Sequence, residues 1–364
     1  MGGIRLEKLT KSFGGPAVVR GLDVTLAPGS LLVLAGPPGS GKTMTLRLIA
    51  GLEAATSGAV WIEDEDVSRK GARERNLAFI PDPPSLYPHM NVRQNISFPL
   101  HCARLPSDEI NSRVDGMAES LGIGALLSSS VKGLSAADRL RVALARALVR
   151  EPMLLLLDEP LASLPPSERS GMADMLRALH GRHRVTTIIA MRDPFTAMAL
   201  ADQLAMLDQG ALEQLGPAQD VHQRPASLSV ASYFGPAGMN FLFFHGSARR
   251  GALAMRMGDV QITVPRIEED VEARELVLGI RPEHVQLQDS SRLRGPVMAI
   301  EYVGGAQLIT VETAQGEIRA RIGAGERVRL DQQVGLRLLP GKLSLFDKTT
   351  GRAILTAWKE RDHV

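Results

Sequence analysis

The chain lacks several features that mark specialised proteins. It has one cysteine, Cys102, in 364 residues, so no internal disulfide can form and the chain fits a reducing compartment. As a lone thiol, Cys102 is expected to serve as a small apolar residue. Formal net charge is +2, with no long run of one sign, so nothing in the charge pattern points to nucleic acid. No apolar run approaches the roughly 20 residues of a spanning helix. The N-terminal stretch Met1-Gly2-Gly3-Ile4-Arg5-Leu6-Glu7-Lys8 has no apolar signal core. The expectation is work in the cytosol, unless membrane subunits hold the chain at a surface. There is no fixed-period repeat and no low-complexity tail. His180 and His183 share an expected helix face, but no further ligands flank them, so they read as solvated polar surface rather than zinc ligands.

What is present is an ordinary globular composition, 44% hydrophobic and 23% charged, in a length that accommodates two or three domains. Residues 1–35 read as short strands with turns at Gly14-Gly15-Pro16 and Pro28-Gly29. Strand patterns continue at 60–62 and 76–80, and the pattern is helical from 90 to 150, with a start at Ser107-Asp108-Glu109 and a stop at Gly122. Strands at 153–157, 186–190 and 203–207 alternate with helices at 168–179 and 195–201, and a turn at Asp208-Gln209-Gly210 leads into 211–215. That alternation predicts a mainly parallel α/β core. Around residues 233–240 the texture shifts to period-two alternation with frequent Gly turns, as in 253–257 and 259–264, which predicts a small all-β barrel or sandwich.

The most informative stretch is Gly36-Pro37-Pro38-Gly39-Ser40-Gly41-Lys42-Thr43. It fits G-x-x-x-x-G-K-[ST], follows the apolar run 31–35 and leads through Met44 into a helical pattern, the context the motif requires. The glycines let backbone N–H groups converge on a triphosphate, and the helix start adds partial positive charge. Lys42 would supply a point charge for the β/γ oxygens and Thr43 a hydroxyl for Mg²⁺. The second anchor is Met153-Leu154-Leu155-Leu156-Leu157-Asp158-Glu159, an apolar strand ending in two acids. It predicts Asp158 in the Mg²⁺ shell and Glu159 as the general base that polarises water. The two motifs together predict binding of ATP with Mg²⁺.

On these residues the chain resembles the ATP-binding subunits of ABC transporters, closest to the carbohydrate-importer branch of the maltose-importer ATPase type, over essentially its whole length. Further matches are Leu86-Tyr87-Pro88-His89-Met90 with Asn95-Ile96, Arg139 with residues 141–148, Ala197-Met198, Leu200-Ala201-Asp202 and Met239-Asn240-Phe241-Leu242. Val277-Leu278-Gly279-Ile280-Arg281-Pro282-Glu283-His284 resembles that branch's C-terminal regulatory barrel. The resemblance implies a P-loop NTPase fold of the ABC type: a RecA-like core, an antiparallel β subdomain and a helical subdomain at about 88–150, within residues 1–236. Residues 237–364 would form an OB-like (TOBE) all-β regulatory barrel. Phe13 falls where the family stacks an aromatic on adenine; the other reading is a core phenylalanine.

The resemblance further implies head-to-tail dimers, each ATP lying between one protomer's phosphate loop and its partner's signature segment. Here that signature reads Leu134-Ser135-Ala136-Ala137-Asp138. Methyl groups of Ala136 and Ala137 sit where glycine backbone approaches the γ-phosphate, beside Ser135. Ser135-x-x-Asp138 is a capping-box pattern, and a carboxylate at ~7 Å from that phosphate opposes it by ~2 kcal/mol at an effective dielectric near 20. By register Asp82, among Pro81, Pro83 and Pro84, replaces the Q-loop glutamine and is a third candidate Mg²⁺ ligand. Arg192 replaces the switch histidine, and Pro165 the D-loop acid. Glu159, Arg192 and Asp82 are therefore the candidate catalytic residues.

The expected function is ATP hydrolysis for a bacterial importer of carbohydrate or polyol, at the cytoplasmic face of the inner membrane. The implied partners are two permease subunits, a second and complete ATPase, and indirectly a solute-binding protein. A nucleotide-holding structural or regulatory subunit is the alternative. A soluble ABC-type ATPase acting on nucleic acid or ribosomes is disfavoured by the absent basic stripe.

Overall fold

The computed structural model describes residues 3–234 and 238–357. Contacts divide the chain into two units, Met1–Ala218 and Gln219–Val364. The expected boundary at 236/237 falls outside the described residues. Along the first unit run β1 (Ile4–Lys11), β2 (Val19–Leu26), β3 (Leu31–Ala35), α1 (Lys42–Ala50), β4 (Ser57–Ile62), β5 (Glu65–Asp66) and β6 (Leu77–Ile80). Then come α2 (Val92–Cys102), α3 (Ser107–Ser120), α4 (Ala136–Leu148), β7 (Leu154–Asp158), α5 (Pro166–His183), β8 (Thr186–Met191), α6 (Pro194–Leu200), β9 (Gln203–Asp208) and β10 (Ala211–Gly216).

Every residue of β3, β7 and β8 is buried, as expected of strands covered on both faces. They belong to a six-stranded sheet of order β10-β9-β3-β8-β7-β6, parallel apart from the β9–β10 hairpin. The register sets Ala35 beside Met191, Asp158 beside Ala190 and Ile80 beside Leu157. The carboxyl ends of β3, β6, β7 and β8 therefore share one edge, and whatever follows each strand converges there. A second, antiparallel sheet runs β2-β1-β4-β5, its inward Ile4, Leu6, Leu22, Val24 and Val60 sharing a core with Leu46 and Ile49 of α1.

The helical stretch resolves into α2, α3 and α4. Asn91 caps α2 and forms a capping box with Gln94. Asn95, wholly buried, donates to the carbonyls of Tyr87, Met90 and Asn91 and accepts from the Tyr87 N–H, which fixes the segment that follows β6. Arg146 of α4 donates to Ser85 O and lies over the Tyr87 ring. At the far end of α1, buried Arg75 donates to the carbonyls of Leu48 and Ile49, satisfying a helix C-terminus with a cation.

Several expectations are revised. Helix α5 extends beyond 168–179 at both ends. Cys102 is exposed at the end of α2 rather than serving as an apolar filler. His180 and His183 are not solvated surface; burial lowers both pKa values, and their Nε2 atoms have no hydrogen-bond partner beside a leucine-lined cavity.

The second unit begins with the short helices α7 (Ala218–Gln223) and α8 (Leu228–Tyr233). It continues through β11 (Asn240–Ala248), β12 (Ala254–Met257), β13 (Val260–Thr263), β14 (Val271–Ile280), β15 (Val285–Leu287), β16 (Arg294–Val303), β17 (Ala306–Thr313), β18 (Gly316–Gly323), β19 (Gln333–Leu338) and β20 (Ser344–Asp347). The strands form sheets β11-β14-β20, β12-β13 and β15-β19-β16-β17-β18 around one apolar core that includes Leu276, Ile309 and Leu336. The buried Asn240 side chain pairs with both backbone groups of Arg319, tying β11 to β18. Arg281 donates to the carbonyls of His222 and Phe234, and Ala353 N–H to Ala226 O. These bonds explain why α7 and α8 group with the β unit. Among the described residues no helix is long and apolar enough to cross a membrane.

Candidate active site

The loop after β3 is shaped by close backbone approach. Gly36 has φ 145°, and a Cβ there would lie 2.1 Å from Leu207 O. Gly41, the α1 N-cap at φ 96°, would meet Val18 O at 2.7 Å. Both positions exclude a side chain, which is the physical content of the glycines in the motif. The α1 start carries no side-chain cap and no acid in its first turn, so its N–H groups are left for an anion.

Lys42 is 5% exposed and folds back over the loop, donating to Gly36 O at 2.7 Å, Pro37 O at 2.9 Å and Ser40 Oγ at 3.3 Å. Burial pulls its pKa down, while Glu159 pulls it back up. Thr43 Oγ1 donates to Asp158 Oδ1 at 2.9 Å, joining the loop to the end of β7. Burial raises the Asp158 pKa; the Thr43 bond opposes that, and the Asp82 charge adds to it. Asp82 is exposed just after β6, whose end lies beside that of β7, and its charge adds to the rise of the Asp158 pKa. Pro38 and Gly39 are the exposed tip of the loop, and Met44 is half-buried in the first turn of α1.

Glu159 follows β7 in the left-handed region at φ 45°, its N–H bonded to Ala190 O at 3.0 Å. A non-glycine residue there costs about 1 kcal/mol or more, a strain typical of functional positions. Its carboxylate accepts from Arg192 N–H and from Arg192 Nε, each at 3.1 Å. Burial raises the Glu159 pKa, and the Arg192 guanidinium works against that rise.

The structure thus brings residues 36–44, Asp82, Asp158, Glu159 and Arg192 to one edge. Ser135, Ala136 and Ala137 stand apart: among the described residues no hydrogen bond or ion pair joins them to the loop. Ser135 caps α4, accepting from Asp138 N–H at 3.0 Å and donating its own hydroxyl to Asp138 Oδ2 at 2.8 Å. The reciprocal capping box is therefore not formed as expected, because the Asp138 carboxylate takes the Ser135 hydroxyl instead of reaching the Ser135 N–H. Asp138 also pairs with Arg141 at 2.8 Å, which reduces its outward repulsion below the ~2 kcal/mol of an isolated charge. Pro165 precedes α5 without any side-chain cap. Phe13 is 62% exposed, with Lys11 Nζ 4.6 Å from its ring centroid, so the core reading of Phe13 does not hold.

The residues fit a magnesium nucleotide. A cradle that a Cβ would fill, a buried lysine bonded to loop carbonyls and a hydroxyl–carboxylate pair present the needed donors. No cluster of three or more His, Cys, Asp or Glu suited to a metal occurs among the described residues, and Mg²⁺ held largely by phosphates does not need one. Sequence reasoning missed the Arg192–Glu159 pair and the Asp138–Arg141 pair, which depend on packing between separate strands and on rotamers.

A phosphate loop, paired acids at the adjacent strand end and a parallel sheet define a P-loop nucleotide-binding protein. A family profile described as ABC transporter matches residues 19–162, and one described as TOBE domain matches 278–346. The sulfoquinovosyl glycerol transport ATP-binding protein SmoE of Agrobacterium fabrum is 34% identical, covering 97% of this chain and 100% of that protein. The trehalose/maltose import ATP-binding protein MalK of Thermococcus litoralis is 35% identical, with 97% and 100% covered. The sn-glycerol-3-phosphate import ATP-binding protein UgpC of Escherichia coli is 33% identical, with 97% and 100% covered. Among solved structures, cbiO1 from Clostridium perfringens, part of the ABC transporter complex cbiONQ, matches with TM-score 0.57 and 28% identity over 60% of this chain and 89% of that one. The chain belongs to the ATP-binding subunits of ABC importers, with an ABC ATPase fold followed by an all-β TOBE domain.

Proposed function

We propose that this subunit binds and hydrolyses Mg-ATP to drive import of a carbohydrate or related polyol, and that its own site turns over slowly. It works peripherally at the cytoplasmic face of the inner membrane with two permease subunits and a second ATP-binding subunit whose motifs are complete. The relatives that carry sugars, a glycerol glycoside and glycerol phosphate support the cargo class. The observation that carries the reading is the Thr43–Asp158 bond at 2.9 Å, which holds a phosphate-loop hydroxyl and a strand-end acid together with Glu159 next in sequence.

Lys42 would exchange its loop carbonyls for phosphate oxygens, a charge-assisted replacement. Thr43 and Asp158, with Asp82 nearby, would hold Mg²⁺, which when bound neutralises charge on the phosphate oxygens. Glu159 would orient and deprotonate water. Arg192 opposes that role: a carboxylate held by a permanent cation is a weaker base than one beside a neutral imidazole. Ser135, Ala136 and Ala137 would face the partner's nucleotide, and Phe13 would offer its exposed ring to the adenine.

The test is ATP turnover of the assembled complex with Glu159→Gln in this chain alone. A measurable fall in rate is expected. An unchanged rate would favour the nucleotide-holding alternative, which the Arg192–Glu159 pair itself would then explain.

A further inference from the structure

Lys11, the last residue of β1, has its ammonium held from several directions. It pairs with Glu53 Oε1 at 2.7 Å, donates to Ala54 O at 2.8 Å and lies 4.6 Å from the centroid of the Phe13 ring. The side chain is 12% exposed, so the carboxylate, the carbonyl and the ring face stand in for most of its water. The bond from Lys11 is the first cause that holds the Glu53 carboxyl below its usual pKa, which keeps the pair ionised.

The backbone next to Phe13 is tied to the same segment after α1. Ser12 N–H donates to Thr56 Oγ1 at 3.0 Å, and Thr56 N–H donates to Thr10 O at 2.8 Å. Ser12 Oγ donates to Gly15 O at 2.6 Å across the bend that carries the ring. Phe13 itself is 62% exposed and is followed by Gly14 in the left-handed region at φ 85°. Such a ring keeps one orientation only if something bears on it. The Lys11 ammonium covers one face and leaves the other open.

We propose that Lys11 is a positioning residue for base binding: clamped by Glu53 and Ala54, it fixes the Phe13 ring so that the free face is set for a nucleobase before the nucleotide arrives. This rests on the reading of Phe13 as the ring offered to adenine. A ring ordered in advance loses less freedom on binding. A cation on its far face also draws π-density away from the side on which the base stacks, which lessens face-to-face repulsion.

The test is equilibrium titration of the full chain with Mg-ATP and, separately, with Mg-tripolyphosphate, which carries the phosphates without a base. Lys11→Met keeps the length of the side chain and removes its charge. It should weaken Mg-ATP by about fivefold and leave tripolyphosphate within about twofold. Unchanged tripolyphosphate binding also shows that the variant is folded. Lys11→Arg restores a cation and should recover most of the loss. Glu53→Gln removes the charge that anchors the ammonium and should cost about twofold, on ATP alone. Phe13→Ala should weaken Mg-ATP by about tenfold. Adding Lys11→Met to Phe13→Ala should cost nothing more, because the lysine then has no ring to hold.

ATP affinity unaltered by Lys11→Met and Glu53→Gln, while Phe13→Ala weakens it, would overturn the role of Lys11 and leave the reading of Phe13 standing. No effect of Phe13→Ala would remove that reading and the proposal with it. Equal losses on ATP and tripolyphosphate in Lys11→Met would make Lys11 a general support of the loop. A further loss in the double variant would mean that it acts on the nucleotide directly. Either result overturns the proposal.

Discussion

The starts of α1 and α4 present the same backbone feature, a turn of unpaired N–H groups, and treat it in opposite ways. Helix α1 has a left-handed glycine as N-cap, no side-chain cap and no acid in its first turn. Helix α4 closes on itself, with Ser135 bonded to Asp138 N–H and Asp138 held by Ser135 and Arg141. An open start is available to phosphate, whereas the α4 start has spent the Asp138 N–H on the chain's own Ser135 oxygen and sets a carboxylate beside the rest. One polypeptide therefore carries one helix start open to an anion and one closed by its own side chains; on the function proposed above, the second would suit a partner's nucleotide poorly. That contrast is the physical basis for expecting unequal sites in the assembled transporter.

The largest break in this comparison is Lys42→Ala. Removing the loop's buried cation should weaken ATP binding by about a hundredfold, on the order of 3 kcal/mol, in equilibrium titration with fluorescent nucleotide. Gly41→Ala should come next. A Cβ at φ 96° and 2.7 Å from Val18 O should destabilise the first unit by about 2 kcal/mol, read as a lower urea midpoint. An undiminished midpoint would mean that the α1 start is not held open by backbone geometry.

Arg192→Gln sharpens the contrast at the chemistry. The Arg192 charge opposes the burial that raises the Glu159 pKa, so its loss should raise that pKa further. A base works only when deprotonated, so the acidic limb of the turnover profile should move to higher pH. Above that limb, the freed carboxylate should raise the rate by about tenfold. A limb that moves to lower pH would contradict the pairing. The smallest effect is expected from Asp138→Ala. Because Arg141 already offsets the carboxylate, ATP at the partner's loop should tighten only about two- to fivefold, less than an unpaired charge would give.

Much of the nucleotide site was legible in the sequence because its constraints are local. Glycine at 36 and 41 answers to φ and to backbone contact, and a strand such as 154–158 announces itself by unbroken apolarity before an acid. Asp82 is placed in the sequence only by register against Tyr87-Pro88-His89, and in the fold it follows β6, the strand beside β7. Less was legible where the partner is distant in sequence. Arg75 at the end of α1, and Arg281 beneath α7 and α8, read as ordinary cations until the fold supplies carbonyls for them. His180 and His183 read as surface because helix periodicity alone does not reveal which face meets the sheet.

The sequence by itself determined the class of chemistry: a loop that only glycines can form, a lysine and threonine after it, and acids ending an apolar strand. These are set by covalent geometry and by which side chains can bind phosphate and Mg²⁺ at all. Tertiary structure alone decided the charge partners. Arg192 meets Glu159 because β7 and β8 are adjacent and in register, and Arg281 lies buried against the carbonyls of His222 and Phe234 because the β unit folds around it. Electrostatic energy depends on separation and on exclusion of water, and neither is fixed until the chain has packed.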